Sequence, residues 1–236
     1  MHTTTDRLLS ILYPRRCPGC DRVIERRALI CGECAQKLHI ISRDTCMKCG
    51  KPMKDSARKY CRDCSGRLHV YDRGFAVFEY EDIKQSLYRF KYSQRPEYAR
   101  FYAAATAQKL GGILKKLGIE ALVPVPIHKS RYIKRGYNQA YVYARELSDL
   151  TGIPVNNSLI MRSVKTTPLK ELDPQGRQKN LKGAFKPIKN DVKLSKVCVI
   201  DDIYTTGATI DTIAQVLKSG GISEVYFVTI AIGNGL

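Results

Sequence analysis

Two kinds of hydrophobic pattern succeed one another along this chain. Short continuous apolar runs rich in β-branched and aromatic residues occur at Gly74–Tyr80 (GFAVFEY), Ala121–Ile127 (ALVPVPI), from Val197 (VCVI) and at Glu224–Ile232 (EVYFVTIAI). Runs of this kind predict strands buried on both faces. Helices are predicted between them, over Asp82–Phe90, residues 98–117 and Ala140–Leu150. A further helix follows the third strand, because Ile210, Ile213, Val216 and Leu217 recur at i, i+3, i+6 and i+7. Strands alternating with helices predict an α/β protein with a parallel, Rossmann-like sheet. Residues 162–185 (RSVKTTPLKELDPQGRQKNLKGAF) break the pattern with polar residues, Pro and Gly. A loop of that length predicts a lid, with Lys165, Thr166, Arg177 and Asn180 as its candidate contacts. Residues 6–14 predict only a short apolar lead-in that ends at Pro14.

The first third of the chain follows neither pattern, and its cysteines explain why. Eight of the nine form C-x-x-C pairs: Cys17/Cys20, Cys31/Cys34, Cys46/Cys49 and Cys61/Cys64, with Cys198 apart. Two residues between cysteines favour joint ligation of one ion, and four soft thiolates suit tetrahedral Zn²⁺. Residues 17–34 and 46–64 read as two knuckle–hairpin–knuckle units, an internal repeat of the zinc-ribbon type. The simplest pairing gives each unit its own structural zinc; the spacing alone leaves an interleaved pairing open. Basic neighbours such as Arg15, Arg16, Lys48 and Arg62 favour the thiolate form. So small a unit lacks a core of its own, and metal binding would supply much of its folding energy. These patterns divide the chain into a double ribbon over residues 1–70 and an α/β domain over 71–236.

Composition narrows the setting. At 236 residues there is room for one moderate core and an appendage, and 44% hydrophobic content is ordinary. No run is long enough to cross a bilayer, and Asp6 and Arg7 precede only a short Leu8–Tyr13 apolar stretch, unlike a signal peptide. A cytoplasmic location is expected. The formal charge of +18 suggests a polyanionic partner, nucleic acid first, with solubility charge as the plain alternative. Arg26, Arg27, Lys51, Lys54, Arg58 and Lys59 around the knuckles suit such contacts. So does the aromatic–basic stretch Lys91–Arg100, with Tyr92, Arg95, Tyr98 and Arg100.

Candidate chemistry gathers at Val197–Thr209 (VCVIDDIYTTGAT). A strand ends in paired carboxylates, Asp201 and Asp202, followed by a Thr/Gly loop and a helix. Backbone N–H groups at a helix N-terminus attract anions, and Gly207 permits the tight turn. Thr205, Thr206 and Thr209 add hydroxyls, so Thr205 to Thr209, with Gly207 and Ala208 between, suits a phosphate. The two acids repel a phosphate but suit sugar hydroxyls, directly or through a divalent metal. Together the two ends describe a ribose 5-phosphate; an ordinary strand with a polar helix cap is the plain alternative. The donor-rich loop HKSRYIKRGYNQA lies beyond Ile127, where open α/β sheets bind ligands. Arg131 and Arg135 are its candidate diphosphate contacts, since guanidinium forks match phosphate oxygens. Asn138 and Gln139 serve either as donors or as caps of the next helix.

The VCVIDDIYTTGAT run closely resembles the phosphoribosyl-diphosphate (PRPP) motif of the type I phosphoribosyltransferases. The resemblance implies that Asp201 and Asp202 meet the ribose hydroxyls, that Thr205–Thr209 binds the 5-phosphate, and that Mg²⁺ accompanies PRPP. Members that use 6-oxopurines carry a further Asp where this chain has Thr205, which argues against that substrate class. With the double cysteine ribbon, VPVPIHKSRYIKRGYNQA and TTPLKELDPQGRQKNLKGAF, the whole chain is similar to the ComF family of competence-related proteins. One departure is Leu169, where many members carry Gln. The resemblance implies handling of single-stranded DNA in natural transformation, alongside a helicase-like partner and recombination factors. It leaves two roles open: an enzyme transferring phosphoribosyl to an unknown acceptor, including a salvage enzyme with no DNA role, or a ligand-sensing and DNA-binding module.

Overall fold

The computed structural model describes residues 14–42, 44–163, 183–188 and 193–233. The predicted lead-in, Leu169 and the candidate lid contacts Lys165, Thr166, Arg177 and Asn180 lie outside them. In order, the elements are α1 (Gly32–Ala35), α2 (Arg62–Ser65), β1 (Arg73–Glu79), α3 (Tyr80–Tyr92), a 3₁₀ turn (Pro96–Tyr98), α4 (Ala99–Lys116), β2 (Ala121–Pro124), α5 (Lys129–Arg135), α6 (Gln139–Thr151), β3 (Ile160–Arg162), β4 (Phe185–Pro187), β5 (Lys196–Tyr204), α7 (Ala208–Ser219) and β6 (Glu224–Ile232).

Four strands form one parallel sheet in the order β1–β6–β5–β2. The register sets Ala121 beside Val197, Val197 beside Val225, and Arg73 beside Tyr226. Side chains alternate across the sheet with period two. Val77, Leu122, Cys198, Ile200 and Val228 pack on one face against Ile83 and Phe90 of α3, Tyr102 and Leu110 of α4, and Tyr143 and Leu147 of α6. Val123, Val197, Val199, Val225 and Phe227 pack on the other against Ile210, Ile213 and Leu217 of α7. Helix cover on both faces explains why the strands read as unbroken apolar runs. At Gly74 a Cβ would lie 1.9 Å from Cε1 of Phe227, so only glycine admits that ring against β1.

The strand beginning at Ala121 is shorter than its apolar run and stops at Pro124. The donor-rich loop contains α5, whose KSRYIKR sequence has no apolar face and buries no residue. Its ends are held locally: the His128 side chain accepts from the Ser130 N–H, and Gly136 closes it at φ 81° with its N–H donating to the Tyr132 carbonyl at 2.7 Å. The ends of the polar stretch 162–185 pair, with Arg162 opposite Phe185 in the antiparallel β3–β4 ladder.

Both cysteine units pack on the α/β body. Arg89 of α3 donates to the Pro18 and Gly19 carbonyls at 3.1 and 2.6 Å, and Asp21 accepts from Arg95 at 3.0 Å and from the Tyr98 hydroxyl at 2.5 Å. The second unit and the segment leading into it cover the outer edge of β1: Gly74 N–H donates to Lys48 O at 2.7 Å and Ile41 N–H to Val77 O at 2.9 Å. An otherwise open sheet edge is thereby closed. No helix among the described residues is long and apolar enough to cross a membrane.

Candidate functional site

Asp201 and Asp202 lie near the carboxyl end of β5, and adjacent strand residues face opposite sides of a sheet. They are therefore in different surroundings. Asp202 is buried beneath α3 and α6, where Lys91 Nζ lies 2.7 Å and Gln139 Nε2 3.1 Å from its Oδ2. Both donors take the same oxygen, so Oδ1 remains an acceptor. Asp201 keeps partial contact with water and accepts the Asp202 N–H on Oδ1 at 2.8 Å. Burial first, then the neighbouring Asp202 charge, push the Asp201 carboxyl up to about 7, against the pull of Lys91 and Arg162.

That shift has a direct consequence for stability. An aspartate raised above its usual 3.8 takes up a proton on folding between those two values, so its charge opposes folding as pH rises from 4 to 7. Asp201→Asn removes the penalty. The variant is expected to be more stable than the parent at pH 8 by about 1–2 kcal/mol, allowing for partial solvation, with no difference at pH 4. Thermal denaturation at the two pH values measures it.

The two arginines of α5 divide between the acids. Arg135 donates to Gln139 Oε1 at 2.9 Å and to the Tyr92 hydroxyl at 3.3 Å, with its guanidinium 4.9 Å over the Tyr92 ring. It reaches Asp202 through Gln139. Arg131 acts on Arg162, whose guanidinium lies 5.2 Å over the Phe185 ring; burial first, then Arg131, bring Arg162 down to about 10 while Asp201 opposes them. Arg162 thus brings positive charge beside Asp201, with Arg131 close to Arg162.

Beyond Tyr204 the chain turns through Thr205 and Thr206 to Gly207, which precedes α7 at φ 81°. A Cβ there would meet the Tyr204 hydroxyl at 2.6 Å, so the left-handed turn and the close approach both require glycine. No side chain caps α7, and the N–H groups of Ala208 and Thr209 open its first turn.

A strap formed by residues 67–71 holds this loop from behind. Arg67 donates to Thr206 O at 3.2 Å. His69 Nδ1 and the Val70 N–H meet the two oxygens of Asp211, each at 2.8 Å. The Tyr71 and Tyr204 hydroxyls share a buried hydrogen bond of 2.7 Å, and Tyr204 stacks on Phe227 at 4.9 Å. Lys48, between Cys46 and Cys49, bonds the Tyr71 carbonyl. Through the strap the second cysteine unit reaches the phosphate-type loop.

The cysteines form two sets, Cys17, Cys20, Cys31 and Cys34, and Cys46, Cys49, Cys61 and Cys64, each with its ligand atoms within 4.8 Å of one another. One unit, one set is the pairing that the structure brings together. Hydrogen bonds with Cys49 and Cys64 pull the Cys46 thiol down, and those with Cys46 and Cys64 push Cys49 up, so the four sulfurs are crowded against one another. Four soft donors close a tetrahedron and fit structural zinc.

Several expected contacts take other roles. Tyr98 is fully buried with its hydroxyl on Asp21, Arg95 pairs with Asp21, and Arg100 pairs with Glu146, so of that group only Tyr92 presents a ring to solvent. Lys51 and Arg58 pair with Asp63 and Asp55 of their own unit. Asn138 caps α6 by accepting from Ala140 N–H at 3.1 Å. Lys91 reads in the sequence only as part of the aromatic–basic stretch, and Arg162 and the strap residues His69 and Tyr71 carry no signal, since each acts on residues distant in the chain. Gln139 was visible only as a donor or cap.

Fold and site together define a class: a double zinc ribbon packed on a parallel α/β domain whose strand β5 ends in paired acids and a glycine turn. Residues 8–65 match the double zinc ribbon domain model. Competence protein F of Haemophilus influenzae is 30% identical over 217 residues, covering 83% of this chain and 93% of that protein. The DNA utilization protein YhgH of Salmonella typhi is 25% identical over 213 residues, covering 89% and 86%. A purine phosphoribosyltransferase structure from Pyrococcus horikoshii overlays on 57% of the chain and 73% of its own, with 20% identity and a TM-score of 0.33. The chain belongs to the ComF family of competence-related proteins.

Proposed function

We propose that the chain binds PRPP with Mg²⁺ and handles single-stranded DNA during DNA uptake and natural transformation. The observation that carries the ribose-phosphate half is the succession of Asp201, Asp202 and the Gly207 turn into an uncapped helix N-terminus. In this reading Thr205–Thr209 takes the 5-phosphate, Asp202 Oδ1 takes a ribose hydroxyl, and Asp201 takes a hydroxyl or the Mg²⁺. Arg131, with Arg162 beside it, takes the diphosphate; Arg135 joins it by leaving Gln139. The DNA half is supported by the +18 charge and by the names of the relatives. A helicase and recombination factors are its natural partners in that process.

The test is calorimetry with PRPP–Mg²⁺, with and without single-stranded oligonucleotide, and DNA affinity measured across salt concentration. Saturable PRPP binding is expected, together with DNA affinity that falls linearly in log–log form as phosphate contacts release counterions. Absence of PRPP binding overturns the first half, and a salt-independent affinity overturns the second.

A second reading, phosphoribosyl transfer, is favoured by the placement of Asp201, a carboxylate that keeps partial contact with water at the carboxyl end of β5 and is held above its ordinary range by burial and by Asp202. A ring nitrogen would attack the ribose carbon as diphosphate leaves, and its proton would pass to Asp201. Diphosphate release that depends on an added nitrogen heterocycle is the expected sign.

A further inference from the structure

The outer face of α3, and α5 apart from Arg131 and Arg135, have a composition that the ribose-phosphate site does not explain. Tyr88 and Tyr92, one turn apart on α3, are 60% and 52% exposed, with ring centroids 5.1 Å apart. Across from them α5 carries four cations and no acid in seven residues, buries none of them, and leaves Tyr132 and Ile133 53% and 72% exposed. The two helices meet where Arg135 lies over the Tyr92 ring. Flat aromatic faces beside a short helix with four cations and no acid call for a partner with negative charge and planar apolar faces in regular succession.

We propose that this surface is the docking platform for single-stranded nucleic acid, with bases stacking on Tyr88 and Tyr92 and the backbone phosphates meeting Lys134 and its neighbours on α5. The inference rests on the DNA half of the function proposed above. A single strand matches because its base faces are open; in a duplex they are hidden by stacking, so a duplex satisfies the cations and leaves the tyrosines unused. Arg135 continues the stack from Tyr92 as a cation over a ring. The same guanidinium holds Gln139, and Gln139 holds Asp202, so the platform ends at the acid pair.

The test is fluorescence anisotropy of the full-length, zinc-loaded protein with a labelled oligothymidine and with a duplex of equal length, at fixed moderate salt. The platform predicts tighter binding of the single strand, a loss of about tenfold or more in Tyr88→Ala with Tyr92→Ala, and retention within about twofold in Tyr88→Phe with Tyr92→Phe. Both rings are exposed, and an unchanged melting temperature checks that the variants fold. If the wild-type protein binds no single strand, the DNA half of the proposed function fails. If it binds and the double alanine variant binds equally well, that function stands and the platform is wrong. An unchanged oligonucleotide affinity combined with an altered sedimentation coefficient assigns the surface to a second copy of the chain and likewise overturns the proposal.

Discussion

Converting both Asp201 and Asp202 to Asn is expected to weaken PRPP–Mg²⁺ binding by at least about a hundredfold while leaving the zinc content unchanged. The size follows from what the carboxylates would do. A hydrogen bond to a charged group contributes about 1.5–3 kcal/mol, and the pair would lose two of them and the charge that attracts Mg²⁺. The single variants should differ. Asp201→Asn removes the acid that keeps partial contact with water at the carboxyl end of β5, and it should cost most of the affinity. Asp202→Asn also leaves Lys91 as a half-buried ammonium without its carboxylate, so it should lower the melting temperature as well. Calorimetry and thermal denaturation of the two single variants separate these effects. Unchanged affinity in the double variant would remove the acids from the ligand site.

The second large effect is expected from Cys49→Ser. Cys46 and Cys49 are almost wholly buried, and they belong to the same apolar cluster as Tyr71, Tyr204 and Phe227. Losing one of four thiolates should release the ion of that unit, and structural zinc in small units contributes folding free energy on the order of 10 kcal/mol. Because residues 67–71 run from this unit to Thr206 and Asp211, the phosphate-type loop should loosen too, with PRPP affinity falling about tenfold or more. Cys31→Ser in the first unit should also release an ion, but that unit touches α3, Arg95 and the 3₁₀ turn and, among the described residues, makes none of the strap contacts. Its PRPP affinity should stay within about twofold of the parent. Metal analysis beside calorimetry decides the matter, and equal losses in the two variants would mean that the strap transmits nothing.

The sequence reading succeeded where a pattern is local. The four sheet strands announce themselves because each is an apolar run covered on both faces, and α7 because its buried residues recur at helical spacing. The C-x-x-C spacing pairs the cysteines because ligands of one ion must be neighbours. It failed where tertiary contact decides. Helix α5 has no buried side to create a period, so only its caps at His128 and Gly136 betray it. Tyr98 looks like a stacking residue until Asp21, from the first cysteine unit, covers its hydroxyl. Lys91 and Gln139 lie on different helices and meet only because α3 and α6 share a face of the sheet, over Asp202.

The order of the strands also governs how the molecule is made. β1 precedes most of the α/β body in sequence, yet its partner is β6, and the hydrogen bond from Val225 to Asp72 joins residues 153 apart. β6 fills the gap between β1 and β5, so no three-stranded sheet exists until it arrives. A chain leaving the ribosome can close its cysteine units early, from contacts fewer than twenty residues apart, while β1 waits with an unpaired edge. Such long-range pairing slows folding and prolongs the exposure of adhesive strands. Lys48 and Ile41, whose backbones bond β1 directly, shield its other edge during that interval. The ribbon thus guards the first strand until the last one is synthesised.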